Sequence, residues 1–327
     1  RSLYTTADQL TADPTNRTLR AQFLQSVDDI ASGFRTAAGQ LDKMGEGIEG
    51  AAASTVDQLN SNLNALEQIN IGLRKARPGS TNEASLLDER DRLLDKLSSQ
   101  AGVSPTFDNN GAVTLRAAGS GDLLVGGGAV NPIAVTAAAD GRLSYSIGGS
   151  PLAISTGSLA GLAEGANHVA DQRAALDTMA SDFANQLNAA HQAGSDANGN
   201  PGQPLFTGAS AATLTAAALS PDQVAVANAS GSNGNMLAFG AMRGAADPES
   251  RWSGHLASQA QTVASARAQD AAAATRADAS AAARDSVSEV DLDKEAAELL
   301  RFQQAYSAAA RTIQVARETM QTLLSSL

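Results

Sequence analysis

Three histidines, His168, His191 and His255, stand in a chain of 327 residues that has no cysteine. Zinc asks for nitrogen and sulfur donors at close, regular spacing. No H-x-x-x-H pair occurs, and His168 and His191 are too far apart within 159–193 to share a helical turn, so the pattern gives no zinc centre. Asp196-Ala197-Asn198-Gly199-Asn200 opens like a calcium loop. The loop chemistry then fails, because Pro201 stands where the sharp turn needs glycine and Thr207 where a bidentate glutamate belongs. An Asn/Gly turn is the expectation there. Gly119-Ser120-Gly121 and Gly126-Gly127-Gly128 lack the Lys-Ser/Thr or the G-x-G-x-x-G spacing that cradles phosphate, and they read as hairpin turns. No G-x-S-x-G elbow is present to raise a serine nucleophile. The charge run Asp88-Glu89-Arg90-Asp91-Arg92 reads as a solvated helix face with an Asp88–Arg92 pair at i,i+4. Solvated or capping roles are expected for the histidines. No cofactor, metal or catalytic residue is nominated.

The strongest pattern in the chain is mechanical instead. Leu292, Leu299, Tyr306, Ile313, Met320 and Leu327 recur at a constant step of seven. Phe302, Ala309, Ala316 and Leu323 follow four of them at a spacing of three. This 3-4 alternation is the signature of a helix that packs along another helix. Burying one leucine is worth roughly 1.5–3 kcal/mol, so a stripe of this length calls for a partner helix, inside the chain or outside it. Its upper part, around Leu292 to Tyr306, is expected to pack within the chain. Its lower part is expected to need another helix or a neighbouring subunit, and beyond about Ala309 to fray or pair between molecules when that helix is lacking.

The elements that carry this stripe follow from the rest of the sequence. Asp13-Pro14 reads as an N-cap with proline at the first helical position. A second stripe runs Phe23, Val27, Ile30, Phe34, Ala37, Leu41, Met44, Ile48, Ala52, Val56, Leu59, Leu63, Leu66 and, past a polar Asn70, Leu73. Successive steps of four from Met44 to Val56 make a stutter beside Gly45, Gly47 and Gly50, which predicts a bend or weak point. Arg77-Pro78-Gly79 ends this helix, and a third amphipathic helix fills Ser80 to Gln100, with Gly102 as its stop. Val103 to Ile154 alternates in short runs broken by Asp108-Asn109-Asn110-Gly111 and Asp140-Gly141, both hairpin-type turns. Leu159 to Ala193 returns to helix, Gly194 to Asp222 is loop with one or two strands, and an Ala-rich helix runs from Ser250 to Ala283. Residues 284–291 are expected to interrupt it. The expected fold is α+β and mainly α: an elongated, flagellin-like bundle of long antiparallel helices with an inserted β-rich domain. Its parts are 1–102 and 250–327 as the helical domain, 103–156 as the insert, 157–193 as a returning helix and 194–249 as a loop and β-rich segment.

Composition narrows the function. Net charge is −11 and the pI about 4.7, which suits neither nucleic acid nor an anionic membrane surface. Without cysteine there is no disulfide framework and no thiol chemistry. No apolar stretch approaches the ~20 residues of a membrane span. The sequence opens on Arg1, Leu3-Tyr4-Thr5-Thr6 does not read as a signal peptide, and the chain is expected to begin inside a longer protein.

Four stretches resemble the bacterial flagellar hook-associated protein 1 family, the hook–filament junction proteins. "LLDERDRLLDKLSSQAGV" (86–103) resembles the family's L-D-x-R-D-x-L-L-x-x-L stretch, and "AGSDANGNPGQPLF" (193–206) its Gly/Asn-rich loop. "SGSNGNMLAF" (230–239) is similar to the lead-in to its late helices. "RDSVSEVDLDKEAAELLRFQQAYSAAARTIQVARETMQTLLSSL" (284–327) resembles its C-terminal signature, the most specific of the four. The family's N-terminal stretch of the type N-I-A-N-x-x-T-P-G-Y-S does not occur. In the family that helix pairs with the C-terminal one. The resemblance implies a structural subunit, not an enzyme, exported by the flagellar type III system to the extracellular hook–filament junction. Its implied partners are the hook protein, the second junction protein (hook-associated protein 3), copies of itself in a ring, and a cytosolic export chaperone at the C-terminal region, with no nucleic acid and no membrane. The resemblance also makes Arg90-Asp91 a packing or subunit contact. Other readings are a flagellin-like filament subunit, another hook-associated protein, or a flagellum-associated cell-wall hydrolase. The last would need paired carboxylates or a metal or thiol site, and the sequence nominates none.

Overall fold

The structure is a computed structural model that describes residues 2–242, 248–288 and 292–325. It divides into two units, Arg1–Ser250 and Arg251–Leu327.

The first unit is strung on one helix. A short helix α1 (Ser2–Ala12) precedes α2 (Arg17–Lys75), which is 59 residues long. The cap between them is not the expected Asp13-Pro14. Asn16 caps α2, its Oδ1 accepting from the amides of Thr18 at 3.0 Å and Leu19 at 3.2 Å. Asp13 instead accepts from Asn16 Nδ2 at 3.0 Å and holds the capping side chain in place. Proline's fixed φ serves a turn there rather than the first helical residue. As expected, α2 stops just before Arg77-Pro78-Gly79, with Ala76 extended as its C-cap and Gly79 at φ +75°. Ser80 caps α3 (Thr81–Gln100), its hydroxyl accepting from Glu83 N at 3.2 Å.

Two antiparallel sheets follow. β1 (Val103–Phe107), β2 (Val113–Ala117), β3 (Leu123–Gly126) and β4 (Ala129–Val130) pair in chain order, and so do β5 (Ile133–Ala137), β6 (Leu143–Ile147) and β7 (Ser150–Leu152). The Asp-Gly turns sit where their chemistry puts them. Asp108 Oδ1 accepts from Asn110 N and Ala112 N at 2.9 Å each, and Gly111 takes φ +77° in the β1–β2 turn. Helix α4 (Ser158–Gln192) then runs back along α2. Beyond it lie a small pair, β8 (Phe206–Thr207) and β9 (Thr215–Ala216), a 3-10 turn at Pro221–Gln223 and helix α5 (Gly234–Ala241).

Two large apolar cores result, with a small third cluster of Ala52, Leu143 and Ala166. One gathers Leu3 and Leu10 of α1, Phe23 and Val27 of α2, Phe183 and Leu187 of α4, Phe206 and Phe239. Its rings meet edge to face, Phe23–Phe239 at 5.8 Å and Phe183–Phe206 at 5.7 Å between centroids. The other joins Leu59, Leu63 and Leu66 of α2 and Leu93 and Leu97 of α3 to Leu115, Val125 and Tyr145 of the sheets.

Asparagines fasten the sheets to the helices. Asn70, buried and set in the apolar stripe of α2, accepts from Val113 N at 2.7 Å and donates to Val113 O at 2.8 Å. Asn60, likewise on α2, makes the same two bonds to Ile133, at 2.9 and 2.8 Å. Asn188 on α4 accepts from Leu205 N and Phe206 N at 2.7 and 2.8 Å and donates to Phe206 O at 2.9 Å. A carboxamide has the donor and acceptor of a peptide unit on one side chain, so each satisfies backbone groups at the start of a strand that would otherwise be buried unpaired.

The second unit holds α6 (Pro248–Ser288) and α7 (Leu292–Ser325). The expected interruption near 284–291 begins later than expected, since α6 runs through Ser288; residues 289–291 lie outside the described residues.

Candidate subunit interface

The residues expected to form a seam lie on α7, a run of 34 residues without glycine or proline. Alanine and straight-chain residues hold the helix, and every described side chain on it is exposed. Leu299 is 59% exposed, Phe302 72%, Tyr306 80% and Ile313 64%. Leu299, Phe302 and Tyr306 line one shallow concave face, which the i, i+3, i+7 spacing produces. Ile313 lies on the same line two turns further on, about 10 Å along the axis at 1.5 Å per residue. Leu292, Met320 and Leu323 lie on α7, but their side chains are outside the described residues, as is Leu327 altogether. The expected packing of the upper part within the chain has no counterpart among the described side chains, since Leu299, Phe302 and Tyr306 are as open as Ile313. Helix α6 explains why it is no partner. Its apolar residues from 256 to 283 are almost all alanine, which offers little area to cover a phenylalanine or tyrosine. Among its described side chains only Trp252, Leu256 and Val263 are large and apolar, and all three are exposed.

The histidines, the Asp196 loop and the α3 charge run have structural roles. His191 is neither solvated nor a cap. It is fully buried on α4, with Nε2 accepting from Ala225 N at 2.9 Å and Nδ1 at 2.5 Å from Gln203 O. An amide that donates to Nε2 fixes the neutral ring with its proton on Nδ1. Burial pushes the His191 pKa down, and the Gln203 carbonyl opposes this in part. The ring therefore ties two loop segments to the end of α4. His168 is half-buried on α4, and His255 lies beside Trp252 on α6 at 6.2 Å between ring centroids.

Asp196 makes an Asx-type turn. Its Oδ1 accepts from Asn198 N and Asn200 N at 2.8 Å each. The carboxylate is thus engaged with its own loop. Among the described residues no group of three His, Cys, Asp or Glu is placed to hold a metal. No described helix is long and apolar enough to cross a membrane.

The charge run on α3 departs from expectation. Arg92 pairs with Glu89 at 3.3 Å, at i,i+3, not with Asp88. Arg90 is not on a solvated face. Its side chain is 13% exposed, donates to Gly111 O at 2.7 Å and to Asp91 Oδ1, and lies 4.7 Å from the centroid of the Phe107 ring. It clasps the β1–β2 hairpin against α3. Neither the His191 clamp nor the Arg90 clasp could be found from spacing, because their partners are backbone groups brought near by the fold.

Comparison with known proteins follows the same division. The family model described as the flagellar hook-associated protein FlgK helical domain matches residues 1–206. The model of the flagellar basal body rod FlgEFG protein C-terminal region matches residues 284–326, which include the α7 stripe. Flagellar hook-associated protein 1 of Salmonella typhimurium is 26% identical over 219 residues, covering 63% of this chain and 40% of that protein. The Escherichia coli K12 protein of the same name is 25% identical over 218 residues, with the same coverage. A solved structure, that of the flagellar hook junction protein FlgK from Burkholderia pseudomallei, is similar with a TM-score of 0.57 and 26% identity, over 63% of this chain and 39% of that one. The matched part thus spans about two fifths of these relatives. A helical-domain match over more than half of the 327 residues, in a chain with long helices and an inserted pair of antiparallel sheets, places this chain in the flagellar hook-associated protein FlgK family.

Proposed function

We propose that this chain is a structural subunit of the bacterial flagellum that joins hook to filament by helix–helix packing, without catalysis. One observation carries the reading: the FlgK helical-domain match and the rod-type C-terminal match occur together in one chain, the second over the exposed stripe of α7. Monomeric proteins rarely leave a row of large apolar side chains in water, and such rows mark contact surfaces. Leu292, Leu299, Phe302, Tyr306, Ile313, Met320, Leu323 and Leu327 are the seam. They pack axially and laterally against neighbouring subunits. Residues 1–102 belong to the helical part of the subunit, and 103–156 form its β-rich insert. The partners are the hook protein, hook-associated protein 3 and further copies of the chain in a ring. A cytosolic chaperone covers the C-terminal stripe before export to the cell exterior.

Electron microscopy of cells that lack the protein tests this. Hooks without attached filaments are expected. Normal filaments on such cells would overturn it, as would release of muropeptides when the purified chain is incubated with cell wall, since that would make it a hydrolase.

A further inference from the structure

The two apolar cores of the first unit share α2, and the stretch of α2 between them is unlike the rest. Ala38 is its last buried residue in the first core and Ala52 the first in a small cluster with Leu143 and Ala166; from 39 to 51 no side chain is fully buried, although Leu41 and Ile48 are half-buried against the first core and that cluster. That stretch holds Gly39, Gly45, Gly47 and Gly50. Across from it, α4 carries Gly161 and Gly165. Glycine in a helix interior lowers helix stability relative to alanine, so it needs a reason. Space is not the reason. A Cβ at Gly39, Gly47, Gly50 or Gly161 would meet nothing within 4 Å, and at Gly45 and Gly165 it would make ordinary contacts, 3.9 Å from Val169 and 3.6 Å from Ile48. Nor is backbone conformation, because none of the six has positive φ. An open cleft of about 280 Å³ lies beside this waist, between Asp42, Gly45 and Glu46 of α2, the Asp140-Gly141 hairpin tip, and Val169 and Arg173 of α4. The cleft gives one helix room to move against the other. Across it Ile48 and Ala52 pack on Ala166, and the other connections are part-exposed ion pairs: Arg173–Asp42 at 2.9 Å, and on the rim Arg142 with Asp140 and Asp171. Small apolar contacts and part-exposed ion pairs of this kind hold less firmly than the two cores on either side.

From these features we infer that residues 39–51 are a hinge built into α2, about which the β-rich lobe swings relative to the helical lobe. The two cores move as rigid bodies, the glycines let α2 bend, and the cleft opens and closes. The inference stands apart from the proposed function, since it concerns the motion of the folded chain whatever it is joined to.

The test uses the whole chain, which has no cysteine of its own and so takes two spin labels cleanly. Labels go on exposed Asp28→Cys in the helical lobe and Ser104→Cys on β1. The distance distribution between them is measured in the otherwise native chain, in G45A/G47A/G50A, and in a control with Gly33→Ala, which lies on α2 outside the waist with nothing within 4 Å of its Cβ. The triple variant is expected to give a narrower distribution, and amide exchange in 39–51 is expected to slow by about fivefold or more, the factor matching one glycine-to-alanine difference in a helix. The Gly33→Ala chain should keep the native width. Equal widths in the native and triple-alanine chains would overturn the hinge. So would a narrowing by Gly33→Ala as large as that of the triple variant, because the effect would then be general helix propensity.

Discussion

Replacing Asn70 by alanine should damage the fold far more than its single place in an apolar stripe suggests. The carboxamide is fully buried and makes two good hydrogen bonds to Val113, at 2.7 and 2.8 Å, and a longer one to Glu67 at 3.3 Å. Alanine leaves the N–H and C=O of Val113 without partners at the first residue of β2. Each unsatisfied buried group costs about 1–3 kcal/mol, so the expected loss is about 2–6 kcal/mol. Glu67, itself buried, loses a donor and keeps only its ion pair with Arg74 at 2.8 Å. Because the chain is long and has two units, the local readout is the sharper one. The Val113 amide should exchange at least about thirtyfold faster in the variant, the factor that corresponds to 2 kcal/mol. Urea midpoints followed by circular dichroism provide the global figure. Asn64→Ala is the control, an exposed asparagine on the same helix that donates only to Asn60 O, and it should stay within about 0.5 kcal/mol of the native chain. If Asn70→Ala also stays within about 0.5 kcal/mol and Val113 exchanges at its native rate, the claim that carboxamides fasten the sheets to α2 is wrong.

Three further outcomes are expected. His191 has a lowered folded-state pKa, so the unfolded chain binds more protons below about pH 6.5 and stability must fall with pH there. The slope is at most about 1.4 kcal/mol per pH unit for this one group; His191→Gln should remove that part of the pH dependence, and urea titrations of both chains at pH 7 and pH 5 compare them. Arg90→Ala should free the β1–β2 hairpin and cost about 1–2 kcal/mol, and Arg90→Lys should not rescue it, because an ammonium cannot reproduce the planar fork over Phe107; exchange at 105–112 reads both. Gly157→Ala should destabilise by about 2 kcal/mol or more, since Gly157 has φ +84° and a Cβ there would sit 2.6 Å from the Gln100 carbonyl carbon; a native melting temperature would contradict this.

What the sequence disclosed depended on how local the cause was. The ends of α2 and α3 were legible because Pro78, Gly79 and Ser80 act on their own neighbours. So were the hairpins, through Asp108 and Gly111 and through Asp140 and Gly141. The start of α2 was misplaced by three residues because Asp13 and Asn16 both suit a cap, and only the hydrogen bonds decide between them. Arg90, His191 and Asn60 carry long-range contacts to Gly111, Ala225 and Ile133, and no periodicity points to a backbone group 21, 34 or 73 residues away. The stripe of α7 shows the same limit from the other side. Its heptads state that a helix is wanted, and in this chain Leu299, Phe302, Tyr306 and Ile313 remain exposed.

The claim on which the functional account rests is that this stripe is a subunit seam. The most direct measurement is to supply cells lacking the protein with a gene carrying Leu299→Asp and Ile313→Asp, and to count filaments on their hooks by electron microscopy. Both positions are exposed in the isolated chain, so the folded domain should be kept and secretion of the variant into the medium can be checked alongside. The account predicts secreted protein with bare hooks. Filaments as numerous and as firmly attached as those on cells given the native gene would contradict it.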